Sequence, residues 1–228
     1  MRPLIFALML LLTISAVAQT PISFKDANWK YGLKDSAGKI ILPGKYDSKI
    51  VFPVYDGKAF NLASVSLNNK FGFINEKGVE VIPLKFDYAA NFSYGYAVYN
   101  QGPMFNSKAG FIDKTGKEIV PPTYQQIKKF GKEGVAIFQA YDKDGKGLYG
   151  IINNSGKEIL PPRYNYIGDE FIEGLVEVLL NGKYGYVDTK GKEAIKLQYD
   201  KAGKFENGKA KVEQGGKTFF IDKTGKEL

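Results

Sequence analysis

Two segments carry the residue pattern of a phosphoryl-accepting aspartate: Asp113-Lys-Thr-Gly-Lys117 and Asp222-Lys-Thr-Gly-Lys226. At a strand end, beside a magnesium ion, such a carboxylate attacks phosphorus and forms an acyl phosphate. The same positions elsewhere in the chain hold Asp35-Ser-Ala-Gly, Asn75-Glu-Lys-Gly and Asn153-Asn-Ser-Gly. Asn cannot replace a carboxylate nucleophile, but Asn and Asp are equivalent as acceptors of their own backbone N–H groups in a tight turn. The segments therefore read as hairpin turns. Asp142-Lys-Asp144-Gly145 resembles the start of a calcium loop. Such a loop needs a bidentate Glu at its twelfth position, where this chain has Asn153, so the segment reads as a connector. Glu80, Glu118, Glu158 and Glu193 recur in register, yet nothing singles out the facing pair that glycoside hydrolysis requires. There is no Cys and no His, which removes thiolate nucleophiles, imidazole bases and the commonest zinc ligands. No Gly-x-Ser-x-Gly elbow or Walker loop is present. The expectation is a non-enzyme without catalytic, cofactor-binding or metal-ligating residues.

The elements that hold these turns repeat. The turn glycines Gly38, Gly78, Gly116, Gly156, Gly191 and Gly225 are spaced by 34–40 residues. Six residues before each stands Gly32, Gly72, Gly110, Gly150 or Gly185, with Phe219 in the sixth copy. Five residues after stands Pro43, Pro83, Pro121 or Pro161, with Lys196 in the fifth. Eight after stands an aromatic: Tyr46, Phe86, Tyr124, Tyr164 or Tyr199. Phe92, Phe130, Phe171 and Phe205 follow six or seven residues later. The intervening segments alternate or run short between Gly and Asp, as strands do, and lack helical three-and-four spacing.

Each copy reads as a small antiparallel meander: a Gly-aromatic strand, a tight turn, a strand that Pro ends or marks as an edge, a connector with the aromatic, and a returning strand such as Val135–Phe138 or Lys209–Val212. The aromatics are expected to fill the seams between successive units, since one unit cannot bury enough surface alone. The fold class is all-β, with five and a half tandem meander units at about 29–67, 68–108, 109–146, 147–181, 182–215 and the partial 216–228. An open, elongated array and a closed β-propeller both fit. The array is preferred because the irregular copies are the first and last.

The pattern aromatic-Gly-aromatic-Ile-Asp-x-x-Gly-x-x-Ile-Pro-x-x-Tyr-Asp, followed by Phe-x-x-Gly-x-Ala-x-Val, resembles the WG-containing repeat family of bacteria over roughly residues 29–228. Its name-giving Trp-Gly is absent, since Trp29 lies three residues before Gly32 and Tyr or Phe takes its place elsewhere. The resemblance implies a β-repeat architecture, often exported, and no particular reaction.

Residues 1–18 read as a cleavable signal peptide, with Arg2, the apolar run Leu4–Ile14 and the small-x-small site Ala16-Val17-Ala18. The apolar run is too short to span a bilayer. The expected destination of residues 19–228 is the periplasm or the extracellular space, without stable membrane insertion. The formal charge of +8 is almost entirely Lys; Arg163 is the one Arg after the signal. Lys suits solubility or acidic polymers more than base reading, which favours Arg forks, so no nucleic-acid partner is expected. A non-catalytic scaffold is expected to bind a protein, glycan or envelope polymer; the alternative is a structural assembly module using exposed strand edges. Ligand contacts are expected from non-repeated stretches on the rigid scaffold: Phe52, Tyr55 and Phe60, then Met104 and Phe105, then Tyr141.

Overall fold

The computed structural model describes residues 20–55, 57–103 and 105–228, so the expected signal segment lies outside the described residues. The turns set the fold. In each of the six copies the Asp or Asn side chain accepts backbone N–H bonds from the residues two and four further on. Asp113 Oδ1 takes Thr115 N at 2.8 Å and Lys117 N at 3.1 Å; Asn75 Oδ1 takes Lys77 N and Val79 N, both at 3.0 Å. The turn glycine closes the loop in the left-handed region, with φ of 74° to 87° across the six copies. Asp and Asn do the same job, so the phosphoryl-acceptor pattern is a turn motif here.

The described chain forms six antiparallel sheets in succession, plus the two-stranded hairpin Val54–Tyr55/Lys58–Ala59. The first sheet holds Ile22–Lys25, Tyr31–Lys34 and Ile40–Tyr46. The second holds Leu62–Leu67, Lys70–Asn75 and Glu80–Phe86. The third to fifth sheets have four strands each. The third is Tyr88–Ala89, Tyr96–Gln101, Lys108–Asp113 and Glu118–Tyr124. The fourth is Gln126–Ile127, Val135–Tyr141, Gly147–Asn153 and Glu158–Tyr164. The fifth is Tyr166–Ile167, Leu175–Leu180, Lys183–Asp188 and Glu193–Tyr199. The sixth holds Lys201–Glu206, Lys209–Gln214 and Lys217–Asp222.

Sheet and sequence repeat are out of phase. The returning strand does not complete its own copy. It pairs with the Gly strand of the next: Val135–Tyr141 lies against Gly147–Asn153, and Leu175–Leu180 against Lys183–Asp188. From the second sheet onward the chain passes between sheets through one residue: Asp87, Gln125, Asn165 or Asp200. The Pro positions do not end their strands. Glu118–Tyr124 continues through Pro121 as an outer edge strand, and Gly110 faces the resulting irregularity in register. A Cβ on Gly110 would lie 2.4 Å from the Val120 carbonyl oxygen, so backbone proximity dictates glycine.

Five apolar seams join the six sheets. The second–third seam is built on Phe73, Phe86, Phe92 and Tyr99; the third–fourth on Phe111, Ile127, Phe130 and Phe138. The fourth–fifth seam holds Tyr164, Ile167 and Val178, the fifth–sixth Tyr186, Tyr199 and Phe205, and the first–second Leu33, Tyr46 and Phe52. Each buried aromatic adds roughly 1.5–3 kcal/mol. No apolar cluster among the described residues joins the sixth sheet to the first, so the array is open. The end faces differ from the interior. On the sixth sheet, Lys209 and Lys211 are exposed where the fourth sheet places buried Val135 and Ile137. On the first, Ile22 and Ile40 remain exposed.

A cleft between the third and fourth sheets

The residue that joins two sheets also braces them. Asp87 pairs with Lys70 at 2.5 Å, and its second oxygen accepts Gly102 N at 2.8 Å at the tip of the next hairpin. Asp200 does the same with Lys183 at 2.5 Å and Gly215 N at 2.7 Å, and Asp47 pairs with Lys30 and accepts Asn68 N at 3.0 Å. The lysine bonds hold the Asp87 and Asp200 carboxyls below the usual range. Asn165 keeps the hairpin half of the brace, accepting Asn181 N at 3.2 Å. Gln125 keeps neither half through its side chain among the described residues; only its backbone N–H bonds Gln139 O, at 3.0 Å.

At that boundary the hairpin tips are long. The second, fifth and sixth sheets turn with two residues, between Leu67 and Lys70, Leu180 and Lys183, and Gln214 and Lys217, while the first has a five-residue Asx turn from Asp26 to Lys30. In the third sheet six residues separate the strands ending at Gln101 and starting at Lys108, and in the fourth a turn runs from Asp142 to Lys146. Within the latter, Asp142 Oδ1 accepts Asp144 N at 2.9 Å and Lys146 N at 2.8 Å, so the calcium-like segment folds on itself as one more Asx turn.

The two sheets splay beyond their apolar seam into a cleft of about 560 Å³, within the range of about 300–1,000 Å³ typical of ligand sites. Its aromatics are Tyr88, Tyr96, Phe105 and Tyr141; Asn91, Asn100, Gln125, Gln126 and Gln139 contribute carboxamides. Its floor is the seam at Val98, Ala109 and Ile127. Phe105 is 99% exposed, Tyr141 57% and Tyr88 50%. Lys129 is the one charged residue in the lining, which contains no carboxylate.

The structure separates the expected contact residues. Phe105 and Tyr141, 36 positions apart in sequence, line one cleft. Phe52 is buried in the first–second seam, packed in one cluster with Leu33, Tyr46, Ile50 and Ile74, and belongs to the core. Phe60 packs on Phe92 with ring centroids 5.0 Å apart. Tyr55 has its ring 5.2 Å from that of Tyr94 and lines an adjoining hollow of about 440 Å³ across the third to fifth sheets, which shares Ser93 and Lys129 with the cleft and where Lys132 and Glu133 mix charges. Met104 lies outside the described residues. The sequence reading missed Tyr88 and Gln125, whereas Asn100 and Gln139 open the non-repeated connectors 100–108 and 139–147. One signal was available: Lys30/Asp47, Lys70/Asp87 and Lys183/Asp200 are each 17 apart, and Lys108/Gln125 and Leu148/Asn165 break the series.

The candidate carboxylates are placed apart. Glu80, Glu118, Glu158 and Glu193 are exposed, one on each of four successive sheets, and Glu158 accepts the Tyr124 hydroxyl at 2.6 Å across the seam. Asp113 is engaged by its own turn, the Thr115 hydroxyl lowering its pKa. Glu177 is buried at the fifth–sixth seam, where the fourth sheet has Ile137; burial raises its carboxyl, opposed by the nearby Lys204. Among the described residues no cluster of three or more acids gathers into a metal site, and no helix is long and apolar enough to cross a membrane.

Stacked meanders carrying a surface cleft define a β-repeat protein, a class suited to binding and scaffolding. The sequence profile of the WG containing repeat matches residues 31–71, 71–102, 110–143, 149–184 and 184–217, and the chain belongs to that family. No curated protein matches it. Among solved structures, it is similar to the AfRom2 CNH domain (9% identity, TM-score 0.38, covering 90% of this chain and 82% of that one). It is also similar to a eukaryotic initiation factor (10%, 0.36, covering 90% and 72%) and to TolB from Acinetobacter baumannii (11%, 0.36, covering 91% and 61%). Similarity at this level says nothing about what the chain binds.

Proposed function

We propose that this chain is a non-catalytic binding scaffold working outside the cytoplasm, in the periplasm or beyond the cell, and that its ligand sits in the cleft between the third and fourth sheets. The observation that carries this reading is the loss of the repeat's brace at Gln125, at the boundary where both long hairpins overhang. Elsewhere the linking residue serves the fold; here, half-buried, it lines the cleft. The absence of carboxylates from the lining leaves no acid–base pair in the cleft for hydrolysis. The ligand is a protein, glycan or envelope polymer, and nucleic acid is disfavoured because Arg163 is the one Arg among residues 19–228.

The test is capture from envelope extract on immobilised residues 19–228, followed by amide exchange with the captured component. Protection is expected at 100–108 and 139–147. Protection confined to other regions would overturn the site. Export is checked by mass spectrometry of the fractionated protein, with an N-terminus at Gln19 expected. The assembly reading draws support from exposed Ile22 and Ile40 on the first sheet. Against it, Lys209 and Lys211 on the opposite end face repel both an apolar partner and one another. A sedimentation coefficient rising with concentration would favour assembly.

A further inference from the structure

We infer that the cleft takes a neutral oligosaccharide. The inference rests on the cleft being the ligand site and adds the class of ligand. Three features point the same way. First, Tyr88, Phe105 and Tyr141 expose large ring areas at one opening, and rings of this kind stack on the apolar C–H faces of sugars. Second, Asn100, Gln125 and Gln139 make no side-chain hydrogen bond among the described residues, so each offers a donor and an acceptor to a ligand. A carboxamide matches paired hydroxyls in a way that a fixed charge does not.

Third, the charge of the lining decides between ligand classes. The chain carries +8, yet the cleft contains only Lys129. An anionic polymer would meet one cation there and would be drawn instead to the Lys-rich sixth sheet. An extended peptide would pair along a strand edge through its backbone. The edge strands in this lining, Tyr88–Ala89 and Gln126–Ile127, are two residues long each, too short for such pairing, and the cleft presents side-chain amides.

The repeat supplies a direct variant. Gln125→Asp restores the residue found at Asp47, Asp87 and Asp200 and places a carboxylate 17 positions after Lys108. It removes the cleft amide while following the chain's own structural rule. Residues 19–228 are titrated calorimetrically with neutral gluco-, xylo-, manno- and chito-oligosaccharides. An anionic polysaccharide and a mixture of extended peptides form the other arms. Binding of at least one neutral sugar is expected, unchanged by salt. Affinity should fall about tenfold or more in Phe105→Ala/Tyr141→Ala, as for truncated aromatic anchors. It should fall similarly in Gln125→Asp, without loss of the denaturation midpoint.

Failure of every neutral sugar to bind, or neutral binding that both variants leave intact, overturns the inference. If an anionic polymer or peptide binds instead and the Phe105/Tyr141 variant weakens it, the cleft remains the ligand site and only its chemistry is wrong. If binding is found but no cleft variant alters it, the site itself is refuted.

Discussion

The second–third and third–fourth boundaries are built from the same parts and end differently. At the first, Asp87 reaches back to Lys70 and forward to Gly102, fastening two sheets and a hairpin tip with one carboxylate. At the second, Gln125 occupies the same place, and the seam opens outward beside Phe105 and Tyr141. The apolar floors are alike: Phe92 and Phe130 are both buried. A repeat protein can therefore keep the core of a seam constant and alter only its polar outer rim. Such an alteration costs little stability, because exposed ion pairs contribute at most about 1 kcal/mol.

The comparison can be broken at its floor. Phe92→Ala and Phe130→Ala should each destabilise by about 3–5 kcal/mol, read from urea midpoints. A much smaller cost at Phe130 would mean that the third–fourth seam is loose throughout. Next in size, Gly72→Ala and Gly110→Ala should each cost about 1–3 kcal/mol, because a Cβ would press on the opposite strand's carbonyl, 2.6 Å and 2.4 Å away. Unequal effects would show that the two bulges differ.

A third seam sharpens the contrast between polar rims and polar cores. Burial raises the Glu177 carboxyl, so its protonated form is favoured by folding. That stability is complete below the unfolded value of about 4.3 and is lost as pH rises through the folded value. Glu177→Gln should raise the urea midpoint at pH 7 and flatten its decline above pH 5; no change would mean that Lys204 fully compensates the buried charge.

The smallest effect concerns the brace. The Asp87 carboxyl is depressed, so its contribution is present above about pH 3.9 and is lost as pH falls through the folded value. Asp87→Asn should lower stability by less than about 1 kcal/mol at pH 7 and low salt. Gln125→Asp should create a matching acid-side dependence at the neighbouring boundary. If it does not, Lys108 is out of reach of position 125 and the two boundaries differ in backbone as well as in residue.

Much of the fold was legible in the chain. The Asx acceptor and the positive-φ glycine are requirements of a few neighbouring atoms, and so they recur at fixed offsets from Gly38 to Gly225, as the bulge glycine does through the first five copies. The candidate site was legible only in part. The long connectors at 100–108 and 139–147 stood out by failing to repeat. Tyr88 and Gln125 did not stand out, since one sits in a short edge strand and the other differs from its counterparts by a single substitution.

Sequence alone determined where the turns fall, that the segments between them are strands, and that their aromatics must be buried between units. Those properties follow from local backbone geometry and hydrophobic patterning. Tertiary structure alone decided that each returning strand pairs with the next copy, that the array stays open, and that Phe105 and Tyr141 meet at one cleft. These depend on which sheet face covers which, a choice made by packing between distant residues.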